Sequence, residues 1–80
     1  MSTVAASENF RTNLRRAIES HGTSQRALAT AAGVSFTHLN RILQGHNDPT
    51  IEICERLARA AGVPMISLFL DPADFFVPAA

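Results

Sequence analysis

The sequence predicts an all-α fold, a compact domain of five short helices, on three observations. Four glycines, Gly22, Gly33, Gly45 and Gly62, each follow a segment with helical apolar spacing, where a helix C-terminus takes a left-handed residue. Ser7, Ser24, Ser35 and Thr50 each precede such a segment and can accept hydrogen bonds from its unpaired first-turn N–H groups. The good helix formers Ala, Leu, Arg and Glu recur throughout, and no stretch alternates apolar and polar residues long enough to suggest a sheet.

This punctuation predicts helices near 8–21, 25–32, 36–44 and 51–61. The first carries Phe10, Leu14, Ala17 and Ile18 on one face, at i, i+4, i+7 and i+8. The fourth does the same with Ile51, Cys54, Leu57, Ala58 and Ala61. Pro64 suits the opening of a fifth helix, Met65 to Leu70, which Asp71-Pro72 closes. The expected organisation is a flexible N-terminal arm over 1–7, one helical domain over 8–70 and a C-terminal tail over 71–80.

Several function classes find no support. The single cysteine, Cys54, cannot form an internal disulfide, and on its apolar face it reads as a core residue in a reducing compartment. The start, MSTVAASENF, lacks the apolar segment of a signal peptide, and no apolar run approaches the roughly 20 residues that span a bilayer. The expectation is a soluble, cytoplasmic protein with no membrane association. His21, His38 and His46 share no ligand-like spacing, so no metal is expected. No phosphate loop, serine elbow or rigid carboxylate pair is present, so no enzyme activity, cofactor or small-molecule ligand is expected either.

Net charge is zero, but its distribution is uneven. From Asn9 to Asn47 there are five arginines, Arg11, Arg15, Arg16, Arg26 and Arg41, against one acid, Glu19. From Asp48 onward five acids face two arginines. The N-terminal half should therefore carry a positive field on a neutral molecule.

The informative stretch is QRALATAAGVSFTHLNRILQ, Gln25 to Gln44. Two helices joined by a short Gly-containing turn cross steeply and need small residues at the crossing, here Ala29, with Gly33 permitting the turn. Leu28, Ala32, Val34, Leu39 and Ile42 would lock the pair together. With Gln25 opening its first helix, the Ala29–Gly33 pair and the Gly45…Pro49-Thr50 loop, the stretch resembles the lambda-repressor/Cro-like helix-turn-helix family, and the resemblance runs from about Phe10 to Leu70. Three departures stand out, one of them Thr23 at a turn position that is usually apolar. Ile18 and Leu43 occupy positions where many relatives bury an ion pair, and the His46-Asn47-Asp48 loop lacks basic residues.

On the second helix of the motif, Leu39, Ile42 and Leu43 form the inward stripe, leaving Thr37, Asn40, Arg41 and Gln44 outward. That polar face has no negative charge and suits a major groove, where Arg forks onto guanine and Asn or Gln onto adenine. The resemblance implies base readout by Phe36, Thr37, Asn40 and Arg41. Phe36 has two readings, contact with a thymine methyl or cover for the core edge. DNA-backbone contacts are expected from Ser24, Gln25, Arg26, Ser35, Gln44, His46 and Asn47, with the helix end at Ser24-Gln25 offering oriented N–H groups to a phosphate. Ser35 is also a helix cap.

The C-terminus is strongly apolar. Met65, Ile66, Leu68, Phe69 and Leu70 are too many for one short helix to bury, and Phe75-Phe76-Val77 would extend the patch. The resemblance implies a two-fold dimer contact in this region, and Met65, Phe69, Phe75 and Phe76 are the expected contact residues for a second copy or another protein. The other reading is that the tail folds back over its own core. The resulting expectation is a homodimeric repressor on a palindromic double-stranded operator. Its alternative is a protein-interaction module of antitoxin or anti-repressor type that binds DNA weakly and uses the tail.

Overall fold

The computed structural model describes residues 3–77, with side chains from Ala5. Four α-helices, α1 (Thr3–Ser20), α2 (Gln25–Ala32), α3 (Phe36–Leu43) and α4 (Ile51–Ala61), are followed by a 3-10 helix, Met65–Phe69. Residues 1–2 of the expected arm and 78–80 of the expected tail lie outside the described residues. No helix among the described residues is long and apolar enough to cross a membrane.

The expected start signals hold for three helices. Ser24 Oγ accepts from Ala27 N at 3.0 Å, Ser35 Oγ from His38 N at 3.0 Å and Thr50 Oγ1 from Ile53 N at 3.2 Å. All four glycines have positive φ. At Gly33 (φ 71°) an added Cβ would meet nothing closer than 3.9 Å, so the backbone's left-handed turn, and not crowding, demands glycine there. The turn is closed by Val34 N donating to Ala29 O at 3.0 Å.

The first helix departs from expectation at its beginning. It starts at Thr3, not near residue 8, so Thr3–Ser7 are helical where a flexible arm was expected, and Ser7 is not its cap. Ala5 and Ala6 favour helix strongly enough to carry it past Ser7. Ile51, expected on the inner face of α4, is 69% exposed, because the first residue of the helix projects beyond the packed layer.

The expected fifth helix is a single 3-10 turn ending at Phe69. In an α-helix the Leu68 carbonyl would accept from residue 72, which is Pro72 and has no N–H. That carbonyl instead accepts from Asn13 Nδ2 at 3.0 Å, and Leu70 O accepts from the same nitrogen at 2.8 Å. Asn9 Nδ2 donates to Phe69 O at 3.4 Å, and an Arg16 guanidinium nitrogen donates to Pro72 O. Polar side chains of α1 thus fasten the segment by its main chain.

The core gathers Phe10, Leu14, Ala17 and Ile18 of α1 with the inner faces of the other helices. Ile18 and Leu43, at the positions that bear an ion pair in many relatives, are both buried apolar residues. Ala29, 1% exposed, sits at the α2–α3 crossing. Phe75 corrects an expectation: it is 4% exposed, belongs to the core and lies under the Arg16 guanidinium 5.6 Å from the ring centroid. The tail folds back this far, and only Phe76 of the aromatic pair faces outward. Phe69 is half-buried against Phe10, with ring centroids 5.3 Å apart.

Two outcomes follow from this packing. Asn13 is fully buried, with its Oδ1 unpaired among the described residues. Asn13→Ala leaves the Leu68 carbonyl buried without a donor and should lower stability by about 1–3 kcal/mol in urea unfolding; a change within experimental error would mean that apolar packing alone holds the segment. Burial pushes the Cys54 thiol above its ordinary pKa, outweighing a backbone hydrogen bond that lowers it. The native state therefore favours the protonated thiol. Its contribution is intact below the unfolded-chain value of about 8.5 and is lost as pH rises above it. Labelling by an aromatic disulfide reagent at pH 8 should be slow in the native protein and fast in denaturant; rapid native labelling would contradict the burial.

Candidate nucleic-acid interface

An eight-residue helix presents the candidate surface. Leu39, Ile42 and Leu43 of α3 are buried, and Thr37, Arg41 and Gln44 are exposed, with Asn40 half-buried between the two faces. Thr37, Arg41 and Gln44 follow one another at i, i+4 and i+7, and Phe36 and Asn40 make a second row at i and i+4. The outward set expected from the sequence is thus gathered on the free side of α3. Gln44 is also the C-terminal cap residue. Among the described residues the Arg41 side chain has no hydrogen bond or ion pair.

The first turn of α2 lies against the first residue of α3. The Arg26 guanidinium carbon stands 4.3 Å from the Phe36 ring centroid, close enough for a cation–π contact. Arg26 therefore brings the first turn of α2, which begins at Gln25, to the first residue of α3. Neither helix has an acid in its first turn, and no acidic residue occurs between Glu19 and Asp48. Both helix starts offer N–H groups and the positive end of the helix dipole. The hydroxyl oxygens of Ser24 and Ser35 serve as caps, each keeping its O–H free to donate.

Phe36 is half-buried and packs against the core, so core cover is one of its roles. His46 is exposed and Asn47 half-buried in the turn after α3, where His46 N donates to Arg41 O at 2.9 Å.

Two arginines that the sequence suggested as part of a positive field hold the other end of α3. Arg11 Nε donates to Ile42 O at 2.8 Å and Arg15 Nη2 donates to Leu43 O at 2.7 Å. Arg11 Nη2 also pairs with Asp48 Oδ1 at 2.8 Å. Cations there meet the negative end of the α3 dipole, and Arg11 adds a second donor to Ile42 O, which also accepts from Gly45 N at 3.1 Å. The pair tethers the His46-Asn47-Asp48 loop and neutralises its acid. The i, i+4 spacing of Arg11 and Arg15 on one side of α1 was a signal for this clamp that charge counting passed over.

No group of three or more His, Cys, Asp or Glu that could hold a metal occurs among the described residues. The family model described as helix-turn-helix matches residues 14–68. No curated protein and no solved structure matches the chain. The matched span takes in α1 from Leu14 onward, the whole α2–turn–α3 unit, α4 and the 3-10 helix up to Leu68. The chain belongs to the helix-turn-helix family of DNA-binding transcription regulators, in its lambda-repressor/Cro-like form.

Proposed function

We propose that the chain is a sequence-specific regulator of transcription, a repressor that binds a palindromic double-stranded operator as a homodimer in the cytoplasm. The observation that carries this reading is the exposed row Thr37, Arg41 and Gln44, uninterrupted by acid and flanked by the first turn of α2. In this reading α3 enters the major groove, with Phe36, Thr37, Asn40 and Arg41 at the base edges. Ser24, Gln25, Arg26 and Ser35 meet the phosphates beside α2 and α3, and Gln44, His46 and Asn47 meet those beside the far end of α3. Arg41 is the residue for guanine, since a guanidinium with no internal partner can turn its fork to O6 and N7.

The homodimer uses the apolar surface of the 3-10 helix and tail. Ile66 and Phe76 are each 76% exposed and Leu70 is 43% exposed, with Met65 and Phe69 half-buried beside them. Phe75, in the core, is not available to this contact. In this reading the two α3 helices of the dimer lie about one DNA turn apart, roughly 34–36 Å, a spacing of the order of the domain's own longest extent of 32 Å. The exposed Phe76 also favours a second reading, a protein-interaction module that captures a different partner through the same surface.

In a fluorescence-anisotropy titration, affinity for duplex operator should fall linearly with log salt, with a slope near −0.9 for each phosphate neutralised. Arg41→Ala should cost about 1–3 kcal/mol and relax specificity at one base pair per half-site. Absence of duplex binding even at low salt would reject the regulator and favour the interaction module. Sedimentation should give a dimer for the native chain and a monomer for Ile66→Glu, with the helical spectrum unchanged; a native monomer on and off DNA would reject the dimer.

A further inference from the structure

The contact between Arg26 and Phe36 is not needed to explain the fold. Arg26 is exposed, lies in the first turn of α2 and has no acid near it in either adjoining first turn. A cation there opposes the positive end of its own helix dipole, and its guanidinium makes no hydrogen bond or ion pair among the described residues. It lies over the Phe36 ring at 4.3 Å. Stacking occupies the flat face of a guanidinium and leaves the N–H donors around its edge free.

Phe36 is a large, half-buried apolar side chain that borders the outward set of α3. Part of its ring packs on the core and one face is covered by Arg26. These two contacts hold the ring against rotation while the residue stays partly exposed at the start of the helix, one position before Thr37 and one turn before Asn40. An apolar surface held at that position matches one apolar feature of the major groove, the 5-methyl group of a pyrimidine.

We propose that Arg26 and Phe36 act as one unit that recognises a pyrimidine 5-methyl group, in thymine first of all. Phe36 makes the apolar contact, and Arg26 is the positioning residue that fixes the ring. The proposal rests on the DNA-binding reading above and assigns it a base. Removing one methyl-sized group from such a contact should weaken binding about fourfold, the equivalent of returning one CH₂ to water.

The test uses the full chain and duplexes selected by it from a random library, with each thymine replaced in turn by deoxyuridine, which pairs identically but lacks the methyl. At one thymine per half-site the wild-type protein should bind the deoxyuridine probe about fourfold more weakly. Phe36→Ala should bring that ratio to one, Arg26→Ala should move it toward one, and Arg26→Lys should keep part of it. If Arg26 touches only phosphate, Arg26→Ala weakens both probes alike and the ratio stays at its wild-type value, which overturns the positioning role. The ratio for the wild-type protein and the Arg26 variants decides the matter even if Phe36→Ala does not fold. With cytosine at the same position, a gain on 5-methylcytosine extends the unit to any 5-methylpyrimidine, and no gain confines it to thymine. Selected duplexes that bind through Arg41 yet show no deoxyuridine effect reject this proposal and leave the DNA-binding reading standing. Failure to select any duplex rejects both.

Discussion

An eight-residue helix is shorter than the length at which a helix holds its own shape in water, so everything α3 presents outward depends on what grips it from behind and at its ends. Three grips are visible. Leu39, Ile42 and Leu43 are buried against the core. Ser35 caps the N-terminus. Arg11 and Arg15 reach from α1 to the final carbonyls. The small Ala29 at the crossing and the left-handed turn at Gly33 set where the helix starts relative to α2. With backbone and inward face committed, the side chains that remain free are the polar ones, and a rigid element carrying unpartnered donors is what base recognition requires.

Charge on this molecule is organised more finely than its zero total implies. Arg56 and Arg59 pair with Glu52 and Glu55 along α4, exposed i, i+4 pairs of small energetic weight. Arg11 is held by Asp48 and a carbonyl, Arg15 by a carbonyl, and Arg16 by the tail and the Phe75 ring. That leaves Arg26, stacked but with its donors free, and Arg41, whose guanidinium has no hydrogen bond or ion pair among the described residues. Both belong to the α2–α3 unit. A neutral protein can thus direct positive charge at a polyanion, since no acidic residue lies within the α2–α3 unit.

Most of the fold was legible in the sequence because a glycine follows the end of each of the four α-helices and three of their starts carry a hydroxyl cap, both local signals with local causes. The outward face of α3 was legible for the same reason, since a helical period separates its two sides without knowledge of tertiary structure. What was not legible depends on distant partners. The length of α1 was misjudged for a different reason, because Ser7 looks like a cap and the helix propensity of Ala5 and Ala6 was given less weight than that cap. The 3-10 geometry arises from Pro72 and from Asn13, more than fifty residues away in sequence. Asn13 nevertheless sits on the apolar stripe of Phe10, Leu14 and Ala17, and a polar residue in that stripe marks a buried partner. Phe75 and Phe76 are adjacent and chemically identical, so only the path of the chain decides that one is core and the other surface.

The fastening of the 3-10 segment has a consequence for how such a protein can diversify. Asn9, Asn13 and Arg16 hold residues 68–72 by their carbonyl oxygens, and every residue has a carbonyl whatever its side chain. The outward residues Ile66 and Leu70 are therefore decoupled from the attachment that keeps their segment in place. A lineage could exchange them freely, acquiring a new self-association preference or losing one, while the scaffold beneath stays as it is.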